Sequence, residues 1–161
     1  MIKKIFLYSL LIVFLFNCEK DDICLEGTPG TPRLIIRFFD HEEIIKPKSL
    51  SNVAIKAISS DKDYTVFSGD SLVIPLELIS NSTIYTFKHL NDSGNQEKVD
   101  TLKFNYMRDD YYFNRACGFL SNLIFTTPAV EIMNKGSQFS HFNILKDTIK
   151  NENQAHLAIY H

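Results

Sequence analysis

The chain has 161 residues, 45% of them hydrophobic and 22% charged, with a formal charge of −2, which describes one ordinary globular domain and excludes a disordered or multidomain chain. Lys and Arg number 17 against 19 Asp and Glu, so no positive excess exists to neutralise phosphates, and a nucleic-acid partner has no electrostatic support. The first two dozen residues specify an address; the rest specifies an architecture without naming a reaction.

Lys3 and Lys4 precede Ile5 to Phe16, an uncharged run interrupted only by Tyr8 and Ser9, which stops at Asn17-Cys18. The run is shorter than the roughly 20 apolar residues needed to cross about 30 Å of hydrocarbon, so residues 1–17 read as a cleaved secretory signal. Leu15-Phe16-Asn17-Cys18 resembles a bacterial lipobox, which implies cleavage ahead of Cys18 and a diacylglyceryl thioether on its sulfur. Several acyl chains anchor firmly, because each buried CH₂ contributes about 0.8 kcal/mol. Lys20-Asp21-Asp22, directly behind the cysteine, resembles the export signal that carries Bacteroidota lipoproteins to the outer face of the outer membrane. The expected location is therefore the outer membrane, at the cell surface, with a periplasm-facing lipoprotein as the alternative. Read as composition alone, the acidic run is a solvated spacer.

Loss of residues 1–17 removes Lys3 and Lys4 and leaves 15 basic and 19 acidic residues over 144 positions, so the mature protein is mildly acidic. With Cys18 lipidated, Cys24 and Cys117 are an even pair in an oxidising compartment, which predicts a Cys24–Cys117 disulfide. Closing a loop of that size adds roughly 4–5 kcal/mol in the chain-entropy account. It would leave Glu19 to Ile23 as free tether, at most about 17 Å when extended, and hold the domain close to its membrane. A redox or metal role for these thiols is disfavoured: there is no C-x-x-C, and no His stands at ligand spacing from either.

Along the mature chain, Gly27-Thr28-Pro29-Gly30-Thr31-Pro32 breaks regular structure and closes a tether spanning 18–32; a single domain is expected over 33–161. Arg33 to Asp40 reads as the first strand, with Leu34, Ile36 and Phe38 on one face and the other face also largely apolar, which suits a central strand. Further strands are expected at Val53–Ile58, Ser71–Leu78, Thr83–Lys88, Lys98–Tyr106, Tyr111–Asn114, Phe119–Phe125 and Ala155–Tyr160. Pro75 marks an edge or a bend, and Asn91-Asp92-Ser93-Gly94-Asn95 a tight turn. Phe139 to Ile149 fits a helix face or short strands equally. The fold class is all-β, an antiparallel β-sandwich of Ig-like or transthyretin-like type with little helix. The antibody hallmarks are absent, since the chain has no Trp and Cys24 precedes the first strand.

No catalytic, metal or cofactor site can be assigned. None of His41, His89, His141, His156 and His161 stands in H-x-H or H-E-x-x-H spacing, and each is expected at the surface or a strand edge. No G-x-S-x-G, S-x-x-K or phosphate-binding glycine loop occurs. Asp61-Lys62-Asp63 with Asp70 lacks the ligand pattern of an EF-hand, and Asp109-Asp110, flanked by Arg108 and Tyr111, reads as a charged hairpin turn. The aromatic set Phe104, Tyr106, Tyr111, Tyr112 and Phe113 is expected to pack in the core, with a glycan- or protein-binding platform as the alternative.

Cys18 to Cys24, the strand Thr31 to Asp40 and Asn114-Arg115-Ala116-Cys117-Gly118-Phe119 resemble the Bacteroidota lipoproteins grouped as domain of unknown function 6452, a resemblance extending over nearly the whole chain. It implies a lipid-anchored envelope protein, supports pairing Cys24 with Cys117, and implies no activity. The leading expectation is a non-enzymatic surface module that binds an envelope protein or supports an assembly, attached to the membrane through its lipid. The alternative is a glycan- or peptide-processing accessory enzyme, or a carbohydrate-binding protein, with a site assembled from residues distant in sequence.

Overall fold

A computed structural model describes residues 23–43, 45–136 and 138–161. The expected signal peptide, Cys18 and Lys20-Asp21-Asp22 lie outside the described residues. The chain divides into a larger unit, Gly30–Tyr111 with Leu120–His161, and a smaller one in which Tyr112–Phe119 joins the segment ending at Pro29.

The strands are β1 (Leu34–Phe39), β2 (Leu50–Ala57), β3 (Thr65–Gly69), β4 (Ser71–Ile74), β5 (Ser82–Leu90), β6 (Gln96–Asn114), β7 (Gly118–Asn134), β8 (His141–Ile144), β9 (Thr148–Ile149) and β10 (Leu157–Tyr160). They form a four-stranded sheet ordered β4-β1-β10-β8 and a six-stranded sheet ordered β3-β2-β5-β6-β7-β9. The fold is all-β, with no helix among the described residues. The antiparallel expectation meets an exception in the first sheet, where β1 and β10 run parallel, Ile36 opposite Leu157 and Phe38 opposite Ile159.

Alternation explains the core of the larger unit. Leu34, Ile36 and Phe38 of β1 and Leu157 and Ile159 of β10 face Val53 and Ile55 of β2, Tyr85 and Phe87 of β5, and Leu102, Phe104 and Tyr106 of β6. Each large side chain withdrawn here contributes about 1.5–3 kcal/mol. β1 lies between β4 and β10, and its second face carries Ile35, Phe39 and Arg37, the last paired with Asp70 (3.4 Å). Its parallel partner is extended by His156, whose N–H donates to the Ile35 carbonyl (2.9 Å) while its Nδ1 accepts the Ile35 N–H (3.1 Å). Burial pushes the imidazole's pKa down, which keeps that nitrogen an acceptor.

Several elements differ from expectation for identifiable reasons. Lys98–Tyr106 and Tyr111–Asn114 are parts of one strand, β6, so Asp109-Asp110 is strand and not a turn. Met107 to Asp110 contains no Gly or Pro to reverse the chain, and Asp110 is held in line by Ser121 Oγ (2.5 Å) and Arg108 (3.3 Å). β7 continues past Phe125 to Asn134, crossing a cis Thr127-Pro128 bond. Phe139–Ile149 holds β8 and β9, each too short to show a period. β3 is an unanticipated edge strand. The β4 strand stops at Ile74, where Pro75 withdraws a donor, and the following stretch is pinned by two tyrosines. Tyr85 Oη donates to the Pro75 carbonyl (2.7 Å) and Tyr106 Oη to the Glu77 carbonyl (2.7 Å). Burial holds the Tyr85 phenol up at about 12.

In the smaller unit, Arg115-Ala116-Cys117 turns the β6–β7 hairpin. Cys117 is bonded to Cys24, their Cα atoms 4.9 Å apart, and its N–H donates to Asn114 Oδ1 (2.7 Å). Gly118 follows at φ 71°, a left-handed conformation that costs glycine nothing.

Candidate functional site

Two features of the described residues offer a surface on which chemistry or recognition could occur, and a third is a buried polar pair. The first is a cleft in the larger unit. β3 and β4 are the end strands of different sheets, separated in sequence only by Asp70, and they diverge from that junction. The space between them, about 510 Å³, is floored by Ile55, Phe67, Leu72, Ile74 and Tyr85 and rimmed by polar groups including Lys56, Lys62 and Asp63. That volume lies within the roughly 300–1,000 Å³ of small-ligand sites. Beside it, the ammonium groups of Lys88 and Lys56 stand 3.9 and 5.7 Å from the ring centroid of Tyr64, so the rim presents cations already engaged with an aromatic face.

The second feature is the hairpin tip of the smaller unit. Ile23 and Leu25 are each 76% exposed, Phe119 70% and Tyr112 59%, and the rings of Tyr112 and Phe119 meet edge-on at 5.6 Å. The aromatic set therefore divides. Phe104 and Tyr106 are core, as expected, whereas Tyr111, Tyr112 and Phe113 are exposed, which corrects the expectation that they pack inside. The inward alternation that buries Leu102, Phe104 and Tyr106 ends where the sheet's inner face ends.

The third feature is His89 with Asp100. Nε2 and Oδ2 lie 3.2 Å apart, and Asp100 Oδ1 accepts the Gly136 N–H at 2.6 Å. A Cβ on Gly136 would stand 2.7 Å from the Val99 carbonyl oxygen, so only glycine allows this approach. The Phe139 ring packs on His89, edge-on at 5.7 Å. Both polar side chains are buried and neither lines the cleft. His89 and His156 are thus buried, against the expectation of surface or strand-edge positions, while His41 and His141 are exposed. The signal was present: His89 continues the Tyr85, Phe87 alternation, and Asp100 begins the Leu102, Phe104 one.

Of the residues singled out in the sequence, Cys24 and Cys117 are brought together. Asp109 and Asp110 point to opposite sides of β6, as strand neighbours must, and Asp61, Asp63 and Asp70 form no cluster. Among the described residues no three His, Cys, Asp or Glu converge closely enough to hold a metal ion.

These features define a two-sheet, all-β protein with an apolar cleft between edge strands and a disulfide-tied aromatic hairpin tip. The chain belongs to a family of unknown function, DUF6452, whose model matches residues 52–161. The match takes in Asn114–Phe119 and begins after the Cys18–Asp40 stretch that also carries the resemblance. No curated protein matches the chain, and no solved structure does.

Proposed function

We propose that this protein is a lipid-anchored envelope lipoprotein, displayed at the outer-membrane surface, that acts as a non-enzymatic binding module through the cleft between β3 and β4. Leu15 to Cys18 and Lys20-Asp21-Asp22 support the anchor and the location. The observation that carries the binding reading is the cleft itself. Its floor is apolar, its volume of about 510 Å³ suits one buried ligand segment, and its two walls are edge strands. Edge strands present backbone donors and acceptors to an extended chain, and the pockets between them select its side chains. An extended peptide segment of an envelope protein, with apolar side chains directed at Phe67 and Leu72, is the ligand this geometry suits.

Site-specific photo-cross-linking in growing cells tests the reading. A cross-linker at Thr65, on the cleft wall, is expected to capture a discrete envelope protein that the same group at Ser93, in the Asn91–Asn95 turn, does not. Identical adducts from both positions, or none from Thr65 in any growth phase, would falsify it. Protease shaving of intact cells tests display: alanines at Lys20-Asp21-Asp22 are expected to protect the domain from added protease.

A further inference from the structure

We infer that the β6–β7 hairpin tip, with the segment bonded to it, lies in the headgroup layer of the anchoring membrane as a second contact beside the lipid. The inference rests on the lipid-anchor reading of Cys18.

The tether leaves the tip no distant alternative. Cys24 is bonded to Cys117 at the tip, and Cys18 stands six positions before Cys24. Extended backbone advances at most about 3.3–3.6 Å per residue, so Cys24 stays within about 22 Å of Cys18 and Cys117 within about 27 Å, measured between Cα atoms, however the intervening residues are arranged. What it presents there is apolar and aromatic: Ile23, Leu25, Tyr112 and Phe119 are all more than half exposed. Residues 23–29 and 112–119 hold one acid, Glu26, and one base, Arg115, so entry into the interface desolvates little net charge. Tyrosine and similar amphipathic rings favour this depth, where the ring meets acyl chains and the hydroxyl meets water. Exposed apolar clusters on a protein surface mark contact with a protein or a membrane. Here the covalent path to a lipid selects the membrane.

Because the chain has no Trp, a single substitution makes an unambiguous reporter. The lipidated full-length protein carrying Phe119→Trp, Tyr112→Trp or Ser93→Trp is reconstituted into phosphatidylcholine vesicles with brominated acyl chains. Emission from Phe119→Trp and Tyr112→Trp is expected to shift to the blue and to be quenched several-fold more than from Ser93→Trp. Tip reporters with the water-like emission and weak quenching of Ser93→Trp would overturn the inference. So would a blue shift without quenching, which places a protein, or a second copy, on the tip. Intact mass separates the premises: acyl mass on Cys18 with water-exposed tip reporters defeats this inference alone, whereas an unmodified Cys18 in protein from membranes defeats the anchor reading and this inference with it.

Discussion

Strand β6 begins at one turn and ends at another, and only the second is held by a covalent bond. At its start, Asn91 Oδ1 accepts the N–H groups of Ser93 (3.0 Å) and Asn95 (2.9 Å), and every residue from Asp92 to Gln96 is polar or glycine and exposed. At its end, Arg115-Ala116-Cys117 is closed by a covalent bond to Cys24 and surrounded by exposed Tyr112, Phe113 and Phe119. The first turn satisfies its own backbone and needs nothing else. The second also has an Asn side chain accepting a turn amide, Asn114 Oδ1 from the Cys117 N–H (2.7 Å), but adds a disulfide and carries large, exposed apolar side chains. The exposed aromatic side chains of the second turn are what the proposed membrane contact would use.

The two ends should respond to different perturbations. The largest effect is expected from Cys24→Ser with Cys117→Ser: the bond closes a separation of 93 residues, and its loss should cost up to about 4–5 kcal/mol in urea unfolding and open the tip to proteolysis. An unchanged midpoint with an intact tip would mean that the tip is held by contacts of its own.

Asp100→Ala acts at the other end, where it leaves the Gly136 N–H without its buried acceptor; a loss of about 1–3 kcal/mol is expected, with the tip's protease resistance unaltered. Acid should act on the four-stranded sheet instead. Burial lowers the pKa of His156 from 6.5, so the folded state keeps the imidazole neutral where the unfolded chain binds a proton. Its contribution is complete above about pH 6.5 and declines as the pH falls below that value, while His156→Asn, which retains an acceptor for Ile35, should flatten the profile of urea midpoint against pH. Asn91→Ala should cost about 1 kcal/mol by freeing two turn amides.

The smallest effect should come from Phe119→Ser. With the ring 70% exposed, stability in solution should change by less than about 0.5 kcal/mol, while the proposed contact of the tip with vesicles should weaken. A large destabilisation would show that the tip's aromatics serve the fold.

What could be read in the sequence follows from which physical signals are local. Period-two alternation marks β1, β5 and the first half of β6, because each has one face on the core. Cysteine parity marks Cys24 and Cys117 once Cys18 is set aside as the expected lipid site, an argument made without reference to the fold. The remainder depends on tertiary context. Asp109-Asp110 has the composition of a turn and lies in a strand because Ser121 and Arg108 supply partners from outside the dipeptide or across one residue. His89 and Asp100 occupy inward positions that hydrophobicity alone does not flag, and their burial depends on Gly136 arriving from 36 residues away. The cleft is built where edge strands of two different sheets part, a property of strand order that no local pattern encodes. The exposed tip likewise resembles core in composition, and only the end of the sheet's inner face separates Tyr106 from Tyr112.

The central claim is that the hairpin tip is tied, through Cys24, to a lipid on Cys18. Cleavage at arginine of unreduced protein taken from membranes tests it in one mass measurement, since the cuts fall after Arg33 and Arg115. The account predicts one species in which residues 18–33, bearing acyl mass on Cys18, are disulfide-linked to residues 116–161. Residues 116–161 with a free Cys117, or an 18–33 fragment without acyl mass, would contradict it.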